Sequence, residues 1–111
     1  MNETRDITNP TRDRIRTLGI PCERVNSGSV RVRGGYLHGW GKGSADLVGW
    51  LPPRGRMFAI ETKTQVGKLN EHQEKWRDMV RKQGVLYHTA RSVGEAIKVV
   101  LKWAAEERER K

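Results

Sequence analysis

The chain has 111 residues, with 22 Lys and Arg against 13 Asp and Glu, for a net charge of +9. Hydrophobic residues make up 35% and charged residues 32%, which suits a single folded domain with polar ends (1–8 and 106–111) rather than two domains or full disorder. No apolar run approaches the ~20 residues of a membrane span, the N-terminus MNETRDITNP has no apolar signal core, and the single cysteine, Cys22, excludes an internal disulfide and a multi-cysteine zinc site.

Asn9 followed by Pro10 reads as a helix start, with Asn as cap and Pro at the first helical position. The short basic helix that follows carries Ile15 and Leu18 and is stopped by Gly19. Residues 23–27 and 29–36 alternate as two strands joined near Gly28, with Val30 and Val32 on one side and Arg31 and Arg33 on the other. Glycines at 34, 35, 39, 41 and 43 then forbid a regular helix. From Arg24 to Ala45 there is no acidic residue, while Arg24, Arg31, Arg33 and Lys42 are basic and Tyr36 and Trp40 lie among them. That composition fits a phosphate-contacting loop and also a plain flexible one.

SADLVGWL, 44–51, reads as a strand ended by Pro52 and Pro53, and MFAIETK, 57–63, as its hairpin partner. The basic stretch TQVGKL, with Lys68, leads to Asn70, which forms a capping-box pattern with Gln73. The helix over 71–83 has Gln73, Trp76, Met79 and Val80 on one face and Gly84 at its end. Trp76 on that stripe reads as core. Residues 85–90 form a short strand. Ser92 and Glu95 make a second capping-box pattern, opening a helix whose Val93, Ile97, Val100, Leu101 and Ala104 share a stripe. EERERK is a solvated or frayed end. The order predicts an α/β fold, a mixed central sheet flanked by helices.

The chemistry gathers in MFAIETK. On a strand, residues i and i+2 share a face, so Glu61 and Lys63 lie together behind Ala59, while Phe58, Ile60 and Thr62 take the face that packs under a helix. Antiparallel pairing about the Pro52–Pro53 turn sets Asp46 beside Glu61 and Lys63. Two adjacent carboxylates repel and raise each other's pKa, and a divalent cation between them relieves this. Mg²⁺ fits, being hard and retaining waters, with Mn²⁺ as a substitute and the Thr62 carbonyl as a further oxygen ligand. Lys63 would orient water or stabilise phosphoryl charge. The spacing alone also fits an exposed edge with a surface ion pair between Glu61 and Lys63, worth at most ~1 kcal/mol.

KGSADLVGW, FAIETK and LNEHQEKW, in that order, resemble the VRR-NUC branch of the PD-(D/E)XK nucleases. RVNSG at 24–28 and GV…S…EAI at 84–97 also fit stand-alone, phage-type members, so the resemblance covers residues 20–100. It implies a restriction-endonuclease-like core, Asp46 and Glu61 as metal ligands, Lys63 as the catalytic lysine and Gln73 as a supporting site residue. It further implies a metal-dependent DNA endonuclease, a homodimer acting on branched DNA such as four-way junctions. Family members often carry another acid on the first helix. Glu3, Asp6 and Asp13 are the candidates here, Asp13 also fitting a surface pair with a neighbouring Arg.

The net positive charge also favours a polyanion, with DNA contacts expected from Arg24, Arg31, Arg33, Lys42 and Lys68. An inactive DNA-binding module on the same scaffold is the alternative. His38, His72 and His88 lack a metal-ligand pattern, and Cys22 reads as a small buried residue in a reducing cytoplasm, that of a bacterial host if the chain is phage-encoded.

Overall fold

The computed structural model describes residues 2–25, 29–32, 35–38 and 40–110, with 29–32 and 35–38 described through their backbone only. A π-helical turn, Thr4–Thr8, runs straight into helix α1, Asn9–Thr17. Strands β1 (Cys22–Arg24), β2 (Ser29–Val32), β3 (Gly35–His38), β4 (Leu47–Leu51) and β5 (Arg56–Thr62) follow, then α2 (Glu71–Lys82), β6 (Leu86–Ala90) and α3 (Val93–Glu109). The main sheet has the order β1-β4-β5-β6. Its first three strands are antiparallel, and β6 runs parallel to β5. The β5–α2–β6 crossover is what a parallel pair requires, and it makes the sheet mixed, as expected.

Strand β5 is central, and its period of two feeds two separate cores. Phe58 and Ile60 pack with Ile15 of α1 and with Val100 and Trp103 of α3. Ala59, on the opposite face, packs with Val48, Trp76, Val80 and Tyr87 under α2. Burying a side chain the size of Phe58 contributes roughly 1.5–3 kcal/mol, and its ring meets that of Trp103 at 5.8 Å. Both faces of β5 are therefore covered, so the Glu61 side is no exposed edge.

Several local expectations are corrected. Asn9 is no N-cap: it is the first residue of α1, with Pro10 in the first turn as expected, and helical backbone already begins five residues earlier, at Thr4. Pro10 has no N–H to give, and a wider turn precedes it, in which the Asn9 N–H reaches back to Thr4 O. Leu18 falls past the end of α1 and is exposed. The strand expected at 29–36 is two, β2 and β3, paired with each other in a separate sheet with Arg31 opposite Tyr36. Residues 35–38 are thus strand rather than loop. Arg33 and the glycines at 28, 34 and 39 lie outside the described residues.

Asn70 and Gln73 make both bonds of the capping box. At α3 only half of the pattern forms: Ser92 accepts from the Glu95 N–H, but Glu95 turns to the Arg91 N–H and His88. Met79 and Leu101 are exposed, and Trp103 takes the inward place on α3. The ends expected to be polar and frayed are structured as far as they are described. The π-turn buries Ile7 and Thr8. Helix α3 reaches Glu109, with Glu107 buried and bonded to Arg56 (3.1 Å) and Arg110 (3.2 Å). Among the described residues no helix is long and apolar enough to cross a membrane.

Candidate active site

The β4–β5 hairpin pairs Leu47 with Ile60. One step further along that register, Asp46 stands opposite Glu61. Asp46 lies just before β4, and its carboxylate is fixed by the next residue of β5. Its Oδ2 accepts from the Thr62 N–H and from the Thr62 hydroxyl, both at 2.8 Å. The Asp46 carboxyl lies near enough to Glu61 to raise its proton affinity.

Glu61 is 2% exposed, which excludes a solvated surface ion pair. Burial first, and then the neighbouring Asp46, push its carboxyl up to about 10. Lys63 pulls the other way, and Glu3 adds to the rise. So Asp46, Glu61, Lys63 and Glu3 all lie within electrostatic reach of one point at the end of β5. Lys63 is half-buried, its N–H bonded to Ala90 O of the parallel strand at 3.0 Å.

Gln73 serves two partners with the two ends of one amide. Its Oε1 accepts from the Asn70 N–H at 2.9 Å, closing the capping box, and its Nε2 donates to Glu61 Oε2 at 3.3 Å. The cap settles which end is oxygen, because only an acceptor meets an N–H. The helix start thereby aims a donor at the buried carboxyl.

Gly43 seats the approach to Asp46. Its φ is +85°, and a Cβ there would stand 2.2 Å from His72 O, in the first turn of α2. Glycine is required twice over, by conformation and by space. The KGSAD segment thus lies against the same helix start that carries Gln73.

Glu3 is the one acid of the three N-terminal candidates that reaches this site: its Oε2 accepts from the Thr64 N–H at 3.1 Å. Asp6 pairs with Arg5 and Asp13 with Arg12. The π-turn is tied down beside the site by Thr8, whose hydroxyl meets that of Thr62 at 2.5 Å. Thr8 was not legible from spacing, since nothing in the sequence pairs residue 8 with residue 62. Arg91 was likewise missed. It places Nη1 on the carbonyls of Thr64 and Gly67, both at 2.5 Å.

Of the basic residues expected to meet DNA, Arg24, Lys42 and Lys68 are exposed. Arg24 pairs in register with Leu47, at the Asp46 end of the sheet, and Lys42 and Lys68 flank the segments that deliver Asp46 and Lys63. Arg31 lies on β2, described through its backbone alone. His72 is exposed, and His88 bonds Glu95 at 2.7 Å, edge-on to Trp103. Cys22 and Trp76 are buried, as expected.

Among the described residues no group of three or more His, Cys, Asp and Glu side chains is gathered into a complete metal site. The Asp46–Glu61 pair nevertheless fits one. Two hard carboxyl groups stand opposite each other, one of them buried, and the buried one holds its proton because burial and Asp46 disfavour its charge. A divalent cation that keeps most of its ligands as water suits such a pair.

The profile of the VRR-NUC domain matches residues 6–94 of the chain. A solved structure described as a VRR_NUC domain superposes with a TM-score of 0.63 over 88% of this chain and 92% of its own, at 23% identity. At that identity the likeness shows the fold, and it bears out the α/β core with a mixed sheet. No curated protein is similar enough to the chain to count as a relative. Glu3 precedes the matched segment, so its place at the site rests on the structure described above.

Proposed function

We propose, from the premise that this chain belongs to the VRR-NUC family, that it is a divalent-metal-dependent endodeoxyribonuclease cutting branched DNA as a homodimer. The family gives a nuclease-type, DNA-processing function. The observation that carries the finer reading is the buried Glu61 with Asp46 opposite it and Lys63 within electrostatic reach.

Asp46 and Glu61 would hold the cation, with the Thr62 carbonyl as a further oxygen donor, and Mg²⁺ suits this set because it accepts carboxylates while keeping waters. When bound, the cation supplies an activated water and neutralises charge on the phosphodiester. Thr62 keeps Asp46 fixed through its N–H and hydroxyl. Gln73 orients Glu61 through Oε2. The Lys63 ammonium, within electrostatic reach of Glu61, would meet charge developing on a phosphoryl oxygen. Arg24, Lys42 and Lys68 would take flanking phosphates, with Arg31 and Arg33 on and beside β2 as further contacts. Two copies would present two such sites to two strands, as junction resolution requires. Glu3, whose carboxylate accepts from the Thr64 N–H, brings an N-terminal acid beside the site and supports the enzyme over an inactive DNA-binding module.

The test is incubation of four-way junction, flap and linear duplex DNA with Mg²⁺ or Mn²⁺. Cleavage by the wild type that disappears in Glu61→Gln and Lys63→Ala is the expected result. Cleavage of none of the substrates, or undiminished cleavage by either variant, would overturn the enzyme reading.

A further inference from the structure

We propose that Arg91 is a positioning residue that sets the Lys63 ammonium by locking the bend at 64–67. This rests on the nuclease reading of Lys63.

No residue of the bend is buried. Val66 at its tip is 89% exposed and Gln65 beside it is exposed. What holds it is hydrogen bonding: the Gly67 N–H on Thr64 O (3.2 Å), the Thr64 N–H on Glu3, and the Arg91 guanidinium on the carbonyls of Thr64 and Gly67. The last two are bonds from a cation, the stronger kind. Arg91 is itself anchored. It follows Ala90, the β6 partner of Thr62, and its N–H donates to Glu95 Oε1 at 2.9 Å in the first turn of α3. The guanidinium therefore ties the bend to the rigid end of β6 and the start of α3.

The bend in turn borders the stem of Lys63. A Cβ built on Gly67 would lie 3.4 Å from Lys63 Cδ and 3.7 Å from Lys63 Cβ. Gly67 thus forms a wall beside the Lys63 stem, with room for about a methyl group between them. A lysine side chain is long and freely rotating, so the position of that wall decides where its ammonium rests. Displacing the reacting geometry by about 1 Å costs on the order of 100-fold in rate.

The test compares wild type, Arg91→Ala, Arg91→Lys and Gly67→Ala in steady-state cleavage of the preferred substrate. It adds DNA affinity measured without metal and amide hydrogen exchange over residues 64–68. Arg91→Ala should lose about 10- to 100-fold in kcat with KM and DNA affinity within about twofold. Its bend amides should exchange at least about tenfold faster, and millimolar guanidinium should restore part of the rate. Arg91→Lys should fall between, since an ammonium lacks the planar fork. Gly67→Ala should leave the bend protected and kcat within about twofold of wild type, because its methyl group would meet the Lys63 stem at ordinary contact distance and crowd only the Thr64 hydroxyl, at 3.3 Å. Wild-type kcat in Arg91→Ala, unchanged exchange at the bend, or a loss confined to DNA affinity, as a simple phosphate contact would give, overturns the proposal. Should the wild type cut no DNA, the nuclease reading falls by itself. The bend exchange and the ¹³C relaxation of the Lys63 side chain in Arg91→Ala then decide whether Arg91 positions Lys63.

Discussion

Replacing Glu61 with Gln should abolish cleavage and, in the absence of metal, make the protein more stable. The carboxyl is raised from 4.5 to about 10 by burial and by Asp46. A raised acid binds its proton more tightly folded than unfolded. Its contribution to stability is therefore complete below pH 4.5 and is lost as the pH climbs toward 10. Each pH unit in that window costs about 1.4 kcal/mol, so by pH 7 the metal-free protein has given up as much as about 3 kcal/mol at this one position. Gln is neutral at every pH. It offers an amide donor to Asp46 and an oxygen to the Gln73 amide, so it keeps the local bonds and sheds the cost. For a domain of this size the gain corresponds to roughly 10 °C in Tm. The assay is a thermal melt of both proteins in EDTA at pH 6, 7 and 8.5. Wild-type Tm should fall with pH more steeply than that of the variant, and the gap should widen at pH 8.5. Adding Mg²⁺ should raise the wild type and leave the variant unmoved, reversing their order at high metal. A variant less stable than wild type in EDTA at pH 8.5, or two parallel pH profiles, would refute the account of Glu61.

Gly43→Ala should lower Tm and cut activity together, because the methyl group must push back the start of α2 on top of about 1–2 kcal/mol of left-handed backbone strain. Circular dichroism melts and cleavage rates check this, and an unchanged rate would separate the loop from the site. Gln73→Ala should cost about 1 kcal/mol of stability through the lost cap and also reduce kcat, whereas Asn70→Ala should cost the same stability with a smaller effect on rate. Lys63→Ala should bind duplex DNA with nearly wild-type affinity while failing to cut it. For both proteins, binding measured across a salt series should weaken steeply as salt rises.

The pattern of acids and lysine was legible because a hairpin converts sequence spacing directly into register. Asp46, Glu61 and the turn between them settle who faces whom, and alternation settles that Lys63 is a neighbour of Glu61. The capping box was legible for the same reason: its bonds are local. The two faces of β5 were harder. Ala59 gave no sign that α2 would cover it, and so the Glu61 side could be taken for an open edge. The N-terminal segment was misread because Pro10 looks like a beginning, and the wider turn that precedes it leaves no periodic trace. Contacts such as Thr8 to Thr62 and Arg91 to the 64–67 bend join residues 54, 27 and 24 positions apart. They depend on how the layers close, which no local signal announces.

The β4–β5 turn lies at the end of the hairpin away from Asp46. With strands rising about 3.4 Å per residue, the five residues of β4 separate the two ends by roughly 17 Å. Surface turns ordinarily absorb insertions and deletions. Here the spacer length is part of the chemistry. Deleting one residue from 52–55 forces a choice between drawing the fully buried Leu51 out into the turn and slipping the ladder by a step. The slip would turn one acid to the opposite face of the sheet. Descendants of this sequence can change what the turn is made of far more freely than how many residues it contains.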